Sequence, residues 1–310
     1  MSTTQTSDDR QNRIQALGYD YAAQPKRDQP ACNLCGSAVH TLIAHHDRYG
    51  YPATTIACNQ CGLARMNPQM TSDGYAAFYQ HTYRPLVSAH HGRLIDAESV
   101  QADQWVYAEE MGDFAAPFLA ARAGQEFLDV GGSTGVVSVA FAKRFQLRPT
   151  VLDPAPDEIR EAEKFGIRTI TALLENWEPG EEKFDVVGMF QTVDHLLDVA
   201  RSLEILRRVI APDGLFLIDI VDFRAAYLKN HSIEAATKID HPFSLTEETM
   251  EAFLARYGFE VLRKSYSRDD HLVCYACAPG PVHPDAMPPS ESVSAFFREV
   301  RTIQNTRHRV

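Results

Sequence analysis

The feature that most constrains this chain is a glycine loop, Asp129-Val-Gly131-Gly132-Ser133-Thr134-Gly135. It closes a short apolar run at 126–130 and opens a helical segment at 136–144. Strand-like runs follow at 149–153, 167–171, 184–190 and 215–221, with helical patterns near 157–165 and 196–210 between them. Strands and helices alternating at this spacing build an α/β fold, a parallel, doubly wound, Rossmann-like sheet. A helix over 246–257 then precedes two strands, 260–267 and 271–278, joined by a tight Arg268-Asp-Asp turn. So short a connection makes the last strand antiparallel.

Glycines let a backbone approach a ligand closely, and their spacing selects the ligand. A dinucleotide loop needs Gly-x-Gly-x-x-Gly, but Ser133 and Val136 stand third and sixth from Gly131. A phosphate loop needs a lysine after its last glycine, and none follows Gly135. What the loop does have is an acid, Asp129, two residues before its first glycine. A second acid, Asp153, ends the next strand 24 residues later, as a βαβ unit requires.

Three cysteine pairs share one spacing: Cys32/Cys35, Cys58/Cys61 and Cys274/Cys277. Gly36 and Gly62 follow the first two pairs, giving the turn that aims two thiolates at one ion. Two such knuckles read as a zinc ribbon with a closed, structural Zn2+ site at Cys32, Cys35, Cys58 and Cys61. His40, His45 and His46 lie between the knuckles and read as surface or packing residues, because four cysteines fill the shell. The third pair falls in a strand, where residues three apart face opposite ways, so it reads as two buried thiols.

The chain has 310 residues, a prior for two domains, and carries 30 basic against 41 acidic side chains, a net charge of −11. That balance disfavours a nucleic-acid partner. No apolar run reaches membrane-spanning length and the first residues carry no leader-like stretch, so a cytoplasmic location is expected. The division expected is a flexible segment at 1–30, the ribbon at 31–68, a helical cap at 69–124, a catalytic domain at 125–278, and a proline-rich linker with a helix at 279–310. In the cap, Thr71 reads as a helix cap, and Tyr75, Phe78, Tyr79 and Tyr83 follow at helical spacing. A second cap helix is expected over 95–121, with Gly112 and Pro117 as breaks. The last helix carries Arg298, Arg301, Arg307 and Arg309, a basic end suited to docking on the chain's own acidic surface.

Asp129-x-Gly131-x-Ser133-x-Gly135 resembles motif I of the class I S-adenosylmethionine-dependent methyltransferases, with Ser133 in place of the usual middle glycine. The resemblance implies S-adenosyl-L-methionine as cofactor. It places Asp129, Gly131, Gly132, Ser133 and Gly135 at the loop, and Asp153 with Pro154 at the ribose. Leu174 and Glu175 fall beside the adenine, and Phe190 and Gln191 beside the methionyl part. A cofactor with a sulfonium, an ammonium and a diol but no phosphate wants carboxylates. His195 and His241 follow strands four and five, at the sheet edge where ligands bind, and each is a candidate base.

The four-cysteine ribbon, then Gly62-Leu63, Arg65, Asn67-Pro68, Phe78-Tyr79 and Tyr83, resembles the zinc-binding methyltransferases of sugar and polysaccharide biosynthesis, including the deoxysugar C-methyltransferases. Asp240-His241 resembles the Glu-His pair that serves as base in those enzymes, and Tyr79 could cover the site or pack its helix. Those relatives carry a further C-terminal domain of Rossmann type, whereas only a short tail is expected here after 278, so the resemblance implies a sugar, nucleotide-linked, as acceptor without fixing which. Another small metabolite, an RNA, or a non-catalytic role for the ribbon in binding a partner remain alternatives. The sequence does not indicate an oligomeric state.

Overall fold

A computed structural model describes residues 3–267 and 270–307. A seven-stranded sheet runs in the order Phe259–Ser267, Leu272–Pro279, Ile210–Val221, Phe184–Met189, Glu126–Val130, Arg148–Asp153, Arg168–Thr171. Adjacent strands are parallel except at Leu272–Pro279, which is antiparallel to both neighbours. The fold class expected from the sequence is therefore the one observed. The Arg268-Asp turn residues lie outside the described residues. Strand order reverses between Glu126–Val130 and Phe184–Met189, and ligands bind at such a reversal beyond the strand ends.

The two faces of the sheet have separate cores, and the cysteine pair at the antiparallel strand shows it. Cys274 packs with Met111, Phe127 and Phe141, whereas Cys277 packs with Leu206, Phe216 and Phe259. Both are buried thiols outside any disulfide.

The ribbon strands His40–Ala44, Thr55–Cys58 and Ala64–Met66 form a small antiparallel sheet, and its fourth strand comes from elsewhere. Phe243–Ser244, in the loop after the fifth large-sheet strand, pairs with Ala64–Met66, and the Met66 amide donates to the Pro242 carbonyl at 2.9 Å. The ribbon thus reaches the larger sheet's ligand-binding edge through main-chain bonds. His40, His45 and His46 are exposed.

Several segments differ from expectation. Of the segment 1–30, expected to be flexible, the described residues 3–30 pack on the cap: helix Thr3–Gln15 lies against Tyr83–His91, and Ile14 and Tyr21 are buried with Met66, Met70 and Phe78. Their few apolar side chains fill the underside of the cap, which overrides the polar composition. Lys26–Arg27 also pairs with Gln69–Met70, so the cap opens with a short strand before helix Ser72–His81, capped by Thr71. The long helix Ala97–Leu119 passes unbroken through Gly112 and Pro117. Arg144 Nη1 would lie 2.7 Å from a Cβ at Gly112, so glycine there gives the arginine room rather than breaking the helix. Pro117 falls in the last turn, so the backbone bond it cannot donate is lost only at the helix end.

Helix Ser290–Arg307 docks through apolar side chains, not basic ones. Phe296, Val300 and Ile303 bridge ribbon residues Ile43 and Ala57 to Phe223 and Tyr227. Arg298 and Arg301 face solvent, and the side chains of Arg307 and Arg309 lie outside the described residues.

Candidate active site

A cavity of about 710 Å3 opens where the strand order reverses. Its floor is the glycine loop. Gly131 has φ +69°, and a Cβ there would lie 2.3 Å from Thr192 Oγ1, so only glycine fits. Ser133 also adopts positive φ, +50°, and its amide donates to Asp153 Oδ2 at 3.0 Å while its hydroxyl donates to Glu158 Oε2 at 2.8 Å. The serine that departs from motif I thus gains two partners in its left-handed turn.

The carboxylates of this floor are held by donors. Asp153 also accepts the Ala155 amide at 2.8 Å, and Asp129 accepts the Ser138 hydroxyl at 2.7 Å. Burial pushes the Asp129 pKa up to about 7 and that of Asp153 up to about 6. Glu175 accepts the Leu197 and Asp198 amides at 2.7 and 3.2 Å, joining the third-strand loop to the fourth. The cavity's basic side chain, Arg84, is committed to Glu158 at 2.6 Å. These acceptors suit a cationic, diol-bearing ligand. Asp129, Gly131, Gly132, Ser133, Asp153, Pro154, Leu174, Glu175, Phe190 and Gln191 all line the cavity. Gly135 does not: at φ +78° it caps helix Val136–Phe145 behind the loop.

The opposite wall is built from distant segments. Tyr79, Tyr83 and His195 line it. His195 Nδ1 is 2.9 Å from the Asp240 carbonyl oxygen and 2.8 Å from Tyr79 Oη, and the Tyr79 hydroxyl donates to that carbonyl at 3.1 Å. A carbonyl only accepts, so the proton belongs on Nδ1 and the lone pair on Nε2. Burial holds the His195 pKa below its ordinary value. The ring is therefore neutral near pH 7, with a basic nitrogen available. Burial also keeps the Tyr79 phenol protonated.

His241 stands behind this wall. Its ring centroid is 4.5 Å from that of His195, but it lines a different, smaller cavity. Asp194 Oδ2 lies 3.8 Å from its Nδ1, and Asp240 Oδ2 lies 3.5 Å from its Nε2. Tyr79, His195 and His241 are thus brought together, with His195 facing the large cavity.

Some residues of the site were not singled out in the sequence. Tyr107 and Gln104 of helix Ala97–Leu119 line the cavity. Asp219, buried in the fifth strand, accepts the Gln191 amide at 2.6 Å and the Tyr107 hydroxyl at 2.5 Å. An acid inside the most apolar strand, Leu215–Val221, was the available signal.

At the ribbon, Cys32 Sγ lies 3.5 Å from Cys61 Sγ, and Cys35 Sγ lies 3.5 Å from Cys58 Sγ. All four sulfurs lie within 4.8 Å of one another. Tetrahedral zinc–sulfur bonds of about 2.3 Å place sulfurs about 3.8 Å apart, whereas a disulfide needs about 2 Å. Gly36 and Gly62 adopt φ of +75° and +76°, and their amides donate to Cys32 and Cys58 carbonyls at 2.8 Å, so the two knuckles share one geometry. The donor set fits a tetrahedral, thiolate-binding metal.

The chain belongs to a family described as "Methyltransferase domain", which matches residues 104–264. The matched segment spans the glycine loop, Asp153 and His195. A ubiquinone biosynthesis O-methyltransferase from Methylobacterium sp. is 34% identical over 104 residues, 30% of this chain and 40% of that enzyme. The match thus spans well under two thirds of that relative's length. Among solved structures, an S-adenosylmethionine-dependent methyltransferase from Clostridium acetobutylicum aligns with TM-score 0.47 and 14% identity, covering 67% of this chain and 99% of the other. Magnesium protoporphyrin IX methyltransferase from Synechocystis aligns with TM-score 0.44 and 14% identity, covering 58% and 82%. No helix among the described residues is long and apolar enough to cross a membrane.

Proposed function

We propose that the protein methylates an oxygen or carbon of a nucleotide-linked sugar, with His195 as general base. The observation that carries this is the His195 tautomer, fixed by Asp240 and Tyr79, which leaves Nε2 basic on the cofactor cavity. S-adenosylmethionine, when bound, supplies an electrophilic methyl on a sulfonium. Asp153 and Pro154 hold the ribose, Asp129 the ammonium, Leu174 and Glu175 the adenine side, and Phe190 and Gln191 the methionyl side. His195 Nε2 takes the acceptor's proton, and Nδ1–H keeps its bond to Asp240 throughout. His241 acts behind His195, and Tyr79 holds it in place. Most of the rate comes from alignment, since the displacement is in line at carbon.

A sugar acceptor is supported by the hydrogen-bonding wall that Asp103 and Gln104 add to the cavity, and by the ribbon and its following motif. Zinc bound by Cys32, Cys35, Cys58 and Cys61 is structural, because four thiolates leave no position for substrate. The enzyme works in the cytoplasm on a small-molecule acceptor. A second reading, another hydroxylated metabolite, is favoured by the ubiquinone-pathway relative and would use the same base.

The test is a mass-spectrometric screen of nucleotide sugars and phenolic metabolites with S-adenosylmethionine. One added methyl on a nucleotide sugar, lost in His195→Asn while S-adenosylhomocysteine still binds, is expected. Methylation of phenols alone, or undiminished turnover by His195→Asn, refutes the sugar assignment or the base respectively.

A further inference from the structure

The smaller cavity behind the histidine pair has a volume of about 290 Å3. Arg48 of the ribbon, Lys238 and His241 of the loop after the fifth strand, and Asp194 line it. His195 faces the cofactor cavity and His241 faces this one, so two rings divide spaces of different chemistry.

Three cations line it; Lys229 already has a partner, whereas Arg48 and Lys238 lack partners of opposite charge. Arg48 Nε is buried with no hydrogen-bond partner. The Lys238 ammonium sits 3.1 Å from His241 Nε2, and among the described residues no carboxylate reaches salt-bridge distance of Arg48 or Lys238. The nearby acids are otherwise placed. Asp47 accepts the Tyr49, Tyr51 and Ile239 amides at 3.0, 3.0 and 2.9 Å. Asp240 lies against His241, and Asp194 presents an Oδ1 that is buried with no partner. A buried guanidinium nitrogen without a partner is costly, and an orphaned buried acceptor costs as well. Burial lowers the Lys238 pKa, with Asp240 opposing and Arg48 adding to the effect. One ligand relieves all three groups: an oxyanion between the cations, with a hydroxyl beside it that donates to Asp194.

We propose that this cavity binds the phosphate of a phosphorylated, hydroxyl-bearing acceptor. The volume sits at the lower end of small-molecule pockets, roughly 300–1,000 Å3, so it takes a phosphate and its immediate neighbours only. The inference deepens the acceptor reading and rests on it in one respect: the molecule anchored here extends past the ring pair to His195.

The test is titration of inorganic phosphate into the full-length protein saturated with S-adenosylhomocysteine, followed by calorimetry, with acetate in parallel. Saturable phosphate binding at one site is expected. Arg48→Met and Lys238→Met should each weaken it at least about tenfold, the scale of a charged hydrogen bond. Both variants should keep S-adenosylhomocysteine affinity, which reports an intact fold, and Arg48→Lys should recover part of the loss. Absence of saturable phosphate binding overturns the inference. So does phosphate binding that neither substitution changes, an adventitious ion only, or acetate binding as tightly as phosphate. No methyl is transferred in this experiment, so it can fail while the nucleotide-sugar screen succeeds, and the reverse.

Discussion

The glycine-loop wall of the large cavity and the histidine wall, with the layer behind it, use their carboxylates in opposite ways. On the glycine-loop wall, Asp153 accepts two backbone amides and Asp129 a buried hydroxyl, all from residues 133–155. On the histidine wall, Asp194 and Asp240 each keep an oxygen buried without a partner, and the groups around them come from residues 48, 79, 195 and 238–241. The first wall is satisfied before any ligand arrives. The second is not, and it is held in place by the ribbon through the Phe243–Ser244 pairing. A complete wall suits a fixed cofactor, and an incomplete one suits a group that completes it on binding.

The largest effect expected is on the histidine wall. Replacing the proposed base by His195→Asn should lower kcat by on the order of 10³-fold, within the usual range for general base catalysis. S-adenosylhomocysteine affinity should stay unchanged, because the loop wall is untouched. Burial lowers the His195 pKa, and only the neutral ring accepts a proton. The rate should therefore rise with pH through a midpoint below the ordinary histidine value and then level off. A pH profile of kcat without that acid limb would remove His195 as base.

Next comes the ribbon. Cys61→Ser should release the metal, measurable by elemental analysis, and loosen the loop that carries Asp240 and His241. Misplacing a catalytic group by about 1 Å costs about 10²-fold, so kcat should fall by that order while cofactor affinity changes far less. Equal losses in both would mean that the ribbon supports the whole fold. That outcome has a structural basis to be tested against, since Cys32, Cys58 and Cys61 also pack beside Leu203 and Leu206.

On the loop wall, Asp153→Asn should weaken S-adenosylhomocysteine by about tenfold or more, the loss of a charged hydrogen bond. The same wall should signal binding by proton release. Burial holds Asp129 near pKa 7 and Asp153 near pKa 6, against about 3.9 in an unfolded chain. The ligand-free protein therefore loses stability as pH rises above about 4, where the unfolded carboxyls ionise, and the loss levels off once the buried groups ionise near 6 to 7. A cationic ligand favours the ionised forms, so cofactor binding should release protons in this window. Calorimetry in buffers of different ionisation enthalpy measures that number directly, and uptake instead of release would contradict the assigned contacts.

The difference between the walls also explains what could be read from the sequence. Asp129, the glycines and Asp153 lie within one βαβ unit, where spacing along the chain fixes spacing in space. The first two cysteine pairs are local in the same sense, and the third pair is decided by its strand. The histidine wall has no such register. Nothing in the spacing of Tyr79, His195 and Asp240 indicates that one carbonyl joins all three. The Phe243–Ser244 strand is two residues long, and only its partner Ala64–Met66 makes it a strand. The packing of the N-terminal segment is hidden for a related reason: Ile14 and Tyr21 are too few to mark a buried segment until Phe78 and Met70 are seen against them.

The smallest effect expected is at Tyr79, and its size tests how the tautomer is held. Tyr79→Phe removes a hydroxyl that lies 2.8 Å from His195 Nδ1 and donates to the Asp240 carbonyl at 3.1 Å. The carbonyl remains 2.9 Å from Nδ1, so the Nδ1 proton keeps an acceptor and Nε2 stays basic. The loss is then one neutral hydrogen bond, net about 1 kcal/mol, or roughly fivefold in kcat. The aromatic ring stays and still packs against Tyr75 and Phe78, so the fold should be unaffected. If the drop instead approaches that of His195→Asn, the phenol rather than the carbonyl fixes the tautomer, and Tyr79 belongs to the proton-transfer machinery. Steady-state kinetics with both variants at the pH plateau separate the two outcomes.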